Sequence, residues 1–134
     1  MPPQGSGSYC WSFRPDLHAA TVARRALNDL SPTVDPDLLE RCRLTLTEVV
    51  TNSVKHARLR PSQPIDVQIR VSPARVRIEV TDDGPGFDPP AVRPDSNLAA
   101  GGWGLWLVDQ LTDRWGVDRS HSASVWLEFD RASE

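Results

Sequence analysis

The stretch IDVQIRVSPARVRIEVT, residues 65–81, constrains the fold most. Ile65, Val67, Ile69 and Val71 alternate with Asp66, Gln68 and Arg70; then Val76, Ile78 and Val80 alternate with Arg77, Glu79 and Thr81. Successive side chains of a strand point to opposite faces, so each run has one apolar face and one polar face. The short link SPAR between them makes an antiparallel hairpin. One face of that sheet must be covered, and the expectation is that helices cover it while the other face stays wet.

The remaining segments supply the cover. Tyr9 to Phe13 reads as a short edge strand stopped by Pro15. From His18 to Leu30, Ala19, Val22, Ala23, Ala26, Leu27 and Leu30 recur at helical spacing. After the turn-rich SPTVDPD, Asp35 is placed to cap a second helix, with Pro36 at its first position. That helix is expected to run to about Ala57, with Leu39, Cys42, Leu46, Val49, Val50, Ser53 and Ala57 in one stripe. At about 100° per residue, Glu48, Asn52 and Lys55 fall in a narrow sector roughly 110–170° from the centre of that stripe. His56 lies between the two faces. Leu105 to Thr112 is expected to be helical, and Ser124 to Phe129 a final strand, preceded by one near Trp115 to Arg119. The expected fold is α+β: a two-layer α/β sandwich with a mixed, mostly antiparallel sheet covered on one face by helices.

Length and composition bound the function classes. With 134 residues there is room for one core. Its expected limits are 9–130, between a disordered tail at 1–8 and a short one at 131–134. A net charge of −3, from 15 basic and 18 acidic residues, gives no general footprint for nucleic acid. The cluster Lys55, His56, Arg58 and Arg60 sits at a helix C-terminus, where cations complement the dipole. No apolar run is long enough to span a bilayer, so no membrane is expected. The opening MPPQGSGS lacks a secretory pattern and reads as the tail of a cytoplasmic protein. Cys10 and Cys42 have no CxxC spacing and read as reduced thiols. His18 and His121 lack metal-ligand company. Of Trp11, Trp103, Trp106, Trp115 and Trp126, most read as packing residues, and Trp106 and Trp126 stand where either could face a partner.

Four pieces carry chemistry. In TEVVTNSVKHA, residues 47–57, Glu48 and Asn52 at i and i+4 set a carboxylate beside an amide oxygen. Hard cations such as Mg²⁺ take such oxygens, often one or two from protein beside water and phosphate. In VTDDGPGF, residues 80–87, a strand delivers Asp82 into a turn where Gly84 and Gly86 flank Pro85. In AAGGWGLWLVDQL, residues 99–111, Gly101, Gly102 and Gly104 open a helix with the apolar face Leu105, Leu107, Val108 and Leu111. Glycine inside a helix costs about 1 kcal/mol against alanine, but bare N–H groups at a helix start cradle phosphate. The Lys-Ser/Thr of a P-loop is missing, and so are the third glycine and the preceding strand of a dinucleotide fingerprint. The fourth piece is the loop from Phe87 to Ala100, about 14 residues, long enough to be a lid.

In this order the pieces resemble the ATP-binding domain shared by histidine kinases, DNA gyrase, the Hsp90 chaperones and MutL, called the Bergerat or GHKL fold. Within that group the chain resembles the small bacterial anti-sigma factors that are serine/threonine protein kinases, over about residues 9–130. Glu48 and Asn52 match the first box, E-x-x-x-N. Asp82, Gly84 and Gly86 match D-x-G-x-G, and Gly102, Gly104 and Leu105 match G-x-G-L. The resemblance implies that Asn52 coordinates Mg²⁺ on the ATP phosphates and that Asp82 accepts from the adenine amino group. Gly84 and Gly86 would admit the base; Gly101, Gly102, Gly104 and Leu105 would hold the phosphates, with Lys55 a further contact. Ser124 on the last strand is set with the nucleotide-binding residues. Glu48 is implied as the base that takes the proton from a substrate serine. Two departures stand out: Ser122 takes the place of a glycine, and Ala99 and Ala100 stand where some relatives carry a basic residue, leaving Arg93 as the lid's cation. The implied partners are an anti-anti-sigma protein of STAS type as substrate and an RNA polymerase sigma factor, with the first strand and helix as a homodimer surface. The alternative is an ATP-binding module that sequesters a partner without phosphorylating it.

Overall fold

The hairpin forms the centre of a five-stranded sheet in which Gly7–Phe13 flanks Ile65–Val71 at one edge and Ala123–Asp130 lies between Arg75–Asp82 and Arg114–Asp118 at the other. The computed structural model describes residues 7–30, 33–56, 59–82, 102–118 and 123–131. Its strands are β1 (Gly7–Phe13), β2 (Ile65–Val71), β3 (Arg75–Asp82), β4 (Arg114–Asp118) and β5 (Ala123–Asp130). The helices are α1 (Ala19–Ala26), α2 (Pro36–His56) and α3 (Gly102–Leu111), with a 3₁₀ turn at Leu27–Leu30. Register joins the apolar positions into rows across the sheet. Trp11, Val67, Val80, Val125 and Val117 make one row; Tyr9, Ile69, Ile78, Leu127 and Trp115 make the next. Val67, Ile69, Val76, Ile78, Leu127 and Phe129 are all buried in the same core as Leu46, Val49 and Val50 of α2.

The α+β, two-layer expectation holds, with one difference in pairing. All four pairings are antiparallel, not mixed. Chain direction gives the reason. Two helices pass between β1 and β2, one each way, so those strands oppose each other. One helix passes between β3 and β4, which run the same way, but β5 lies between them and opposes both.

Element ends differ from expectation in explicable ways. β1 begins at Gly7, two residues before Tyr9, because Gly7 and Ser8 find partners in Val71 and Arg70. The helix expected over His18–Leu30 is α-helical only to Ala26 and then tightens into the 3₁₀ turn. In that tighter winding i and i+3 eclipse, which turns both Leu27 and Leu30 into the core. α3 starts at Gly102, three residues ahead of Leu105, so Gly102 and Gly104 lie within its first turn.

Opposite the helices, the sheet carries a charged row. Glu128 lies between Arg77 at 2.7 Å and Arg114 at 2.8 Å, with Arg75 at 3.7 Å. Arg114, then burial, then Arg77 act on Glu128, and the net effect holds its carboxyl below the ordinary range. Arg77 also stacks on Trp126, 5.0 Å from the ring centroid. At the N-terminal end of α2, the Arg131 guanidinium donates to the carbonyls of Thr33 (2.7 Å) and Ser72 (2.8 Å), tying the helix layer to the hairpin turn. No helix among the described residues is long and apolar enough to cross a membrane.

Candidate functional site

Chain direction decides which residues share an end of the molecule. β3 starts beside β5's end, where Arg131 reaches Thr33, just ahead of α2. Its other end, Asp82, therefore lies toward the C-terminal half of α2, which packs on β3. The same end holds Phe13, Ile65 and Ala123. α3 must return from this end to β4, so it runs opposite to α2, against which it packs.

The flank of α2 that faces α3 is marked by Arg41. Its guanidinium donates to the Leu111 carbonyl at the C-terminal end of α3, 3.3 Å away, and stacks over Phe129 with 5.8 Å to the centroid. At about 100° and 1.5 Å per residue, Glu48, Asn52 and Lys55 project within roughly 40° of Arg41. Glu48 lies about 10 Å, and Asn52 about 16 Å, farther along the axis. A ten-residue α3 is about 15 Å long, so its N-terminus comes level with Asn52.

Burial differs across this sector. Asn52 is only 8% exposed, Glu48 is half-buried and Lys55 is exposed. The sector is a gradient and not a solvated face, because α3 covers the side nearest the core. Thr45 on the same flank is fully buried and satisfied by the carbonyls of Arg41 (2.8 Å) and Cys42 (3.2 Å). Among the described residues the Asn52 amide makes no hydrogen bond, and no polar side-chain atom among them is both fully buried and unsatisfied. The amide therefore keeps an opening outward.

Asp82 ends β3 on the helix-covered face, in the alternation of Val76, Ile78 and Val80, and is 7% exposed. The fold thus brings Asn52, Asp82 and the start of α3, with Gly102 and Gly104 in its first turn, to one end of the layer between helices and sheet. Glu48 and Lys55 stand beside them on α2. Ser124 is not brought to that face. It alternates with Val125, Leu127 and Phe129, and its hydroxyl lies on the outer face, donating to Glu79 at 3.0 Å and lying 3.4 Å from Thr81. Gly84, Gly86 and Gly101, the lid with Arg93, Ala99 and Ala100, and Ser122 lie outside the described residues; of Leu105, the helical backbone is described.

The donor set fits a magnesium nucleotide better than a protein-caged metal. No group of three or more His, Cys, Asp or Glu among the described residues could hold an ion. Mg²⁺ beside phosphate needs only one or two protein oxygens, and the recessed Asn52 amide is one oxygen that could be offered to it. Sequence reasoning missed Arg41, although its spacing of seven residues from Glu48 places both on one flank. Cys42, behind that flank, is an inert core thiol pushed up to about 12, chiefly by burial.

The family model for the histidine kinase-like ATPase domain matches residues 12–129. The serine-protein kinase RsbW of Staphylococcus epidermidis is 28% identical over a 101-residue alignment that covers 66% of this chain and 64% of that protein. The chain thus aligns with less than two thirds of that relative's length. Among solved structures, the RsbU and RsbW domains of Rv1364c from Mycobacterium tuberculosis match with a TM-score of 0.71 at 17% identity, covering 96% of this chain and 34% of that one. The histidine kinase domain of the Erythrobacter litoralis EL346 blue-light activated histidine kinase matches with a TM-score of 0.58 at 23% identity, covering 83% and 58%. Both structural likenesses are of fold.

Proposed function

This chain belongs to the histidine kinase-like ATPase domain family, and from that premise we propose that it is an ATP- and Mg²⁺-dependent serine kinase of the anti-sigma type. The observation that carries the reading is the recessed Asn52 amide on the flank of α2 that faces α3, level with the glycine-bearing start of that helix. Asn52 would supply the protein oxygen to Mg²⁺, which when bound neutralises phosphate charge. Asp82 would accept from the adenine amino group, with Gly84 and Gly86 allowing close approach of the base. Gly101, Gly102, Gly104 and the first turn of α3, including Leu105, would hold phosphate oxygens through backbone N–H groups. Lys55, exposed one turn beyond, would add a cation.

Glu48 would act as general base. It lies one turn before Asn52 on the same flank, so a substrate hydroxyl presented to the terminal phosphate meets its carboxylate. Removing that proton and holding the groups in line is most of what phosphoryl transfer asks of a protein. The proposed substrate is a small anti-anti-sigma protein of STAS type, and the other partner a sigma factor, in the cytoplasm; similarity to the serine-protein kinase of Staphylococcus epidermidis supports a serine hydroxyl as the acceptor. A homodimer through β1 and α1 belongs to the same proposal.

A second reading, a nucleotide-dependent sequestering module without transfer, is favoured by Ala99 and Ala100, which stand where some relatives carry a basic residue. Glu48→Gln separates the two. With the partner that co-purifies with the full chain, wild type should transfer ³²P from ATP, and Glu48→Gln should lose about 10²–10⁴-fold in rate while binding ATP as before. ATP binding with no transfer by wild type would leave the sequestering module.

A further inference from the structure

Three side-chain tethers of α3 lie at the end opposite its glycine-bearing start. The Thr112 hydroxyl donates to the Val108 carbonyl at 2.7 Å, and the Trp115 indole N–H to Asp109 at 3.0 Å. These two hold α3 to its own C-terminal extension. Arg41 alone in this set reaches from α2, donating to the Leu111 carbonyl while its guanidinium lies over the buried Phe129 ring, 5.8 Å from the centroid. The last carbonyls of a helix lack intrahelical partners, and a cation there also meets the negative end of the dipole. The contact therefore fixes both where α3 ends along α2 and which way it turns.

We infer that Arg41 is a positioning residue for triphosphate binding: by anchoring the C-terminal end of α3 to α2 and Phe129, it sets the N-terminal turn level with Asn52. This rests on the reading that the nucleotide phosphates lie at that turn. A rigid helix about 15 Å long carries a displacement at one end to the other. Loss of the anchor lets α3 slide or rotate along α2, and the glycine N–H groups then no longer converge with the Asn52 amide. Base recognition at Asp82 belongs to β3 and does not depend on the anchor. Coupling carried by one packed helix has two ends, and both can be measured.

The test compares wild type, Arg41→Met and Arg41→Lys in the full chain. Arg41→Met keeps the aliphatic packing and loses the donor; Arg41→Lys keeps a donor but not the planar group over Phe129. Amide hydrogen exchange without nucleotide should speed up across α3, most in Arg41→Met, while β2 and β3 stay protected. Calorimetric affinity for Mg·ATP should fall by about five- to tenfold in Arg41→Met and less in Arg41→Lys, the range expected for one element of a coupled network. Unchanged exchange in α3, or faster exchange with Mg·ATP affinity at the wild-type value, overturns the inference. Should Arg41→Met fail to fold, Arg41→Lys carries the same two readouts. A wild type that does not bind Mg·ATP removes the nucleotide reading instead, which the exchange data, taken without nucleotide, do not affect.

Discussion

Asn52→Leu separates the site from the scaffold. Asn52 is 8% exposed, and its side chain makes no hydrogen bond among the described residues. Burying an amide without a partner costs about 1–3 kcal/mol in proteins. The remaining opening puts Asn52 near the lower end, about 1 kcal/mol. Leucine removes that cost and adds apolar contact against α3, offset in part by its bulkier branch. Nucleotide-free protein should therefore gain up to about 1 kcal/mol, roughly 3 °C in midpoint for a domain of this size. Mg·ATP at about 100 times its dissociation constant should add about 2.7 kcal/mol to wild type, and this shift should vanish in Asn52→Leu. Scanning calorimetry with and without Mg·ATP reads both quantities. A drop of 3 °C or more without nucleotide would mean that the amide supports the fold. A preserved nucleotide shift would mean that Asn52 is not a ligand, and either result refutes the reasoning.

Two further predictions concern the scaffold. Cys42 holds its proton up to about 12 in the folded protein against an ordinary 9.0. The unfolded chain therefore ionises first, and stability complete below pH 9 should decline as pH rises from 9 toward 12, by at most about 1.36 kcal/mol per unit. Urea midpoints across that range should show this part of the slope missing in Cys42→Ala, and iodoacetamide should label exposed Cys10 while sparing Cys42 until the chain unfolds. At Gly116, an added Cβ would come within 2.7 Å of the Trp126 ring. That ring is held from above by Arg77, so Gly116→Val should cost about 1–3 kcal/mol by urea denaturation, with a shift in tryptophan emission.

Much of the fold was legible because strand alternation is local. Val67, Ile69, Val76 and Ile78 declare their face without reference to any neighbour, and register follows once Ser72 to Arg75 turns the chain. Ser124 belongs here too, since alternation with Val125, Leu127 and Phe129 already points it away from the helices. The resemblance gathered Glu48, Asn52, Asp82 and the glycines as an ordered set, and the geometry brings Asn52, Asp82 and the α3 start to one end.

What the chain settled alone was the type and facing of each element, because the period of apolar residues depends only on backbone geometry. What the tertiary structure decided was which element lies against which flank. Helical angle says that Asn52 stands away from the stripe of Cys42 and Leu46; it does not say that α3 covers that side and leaves the amide recessed. Nor does it say that Arg41 meets a carbonyl 70 positions away in sequence. Those facts follow from β5 inserting between β3 and β4, which sends α3 back along α2, and no local pattern encodes a choice made between distant segments.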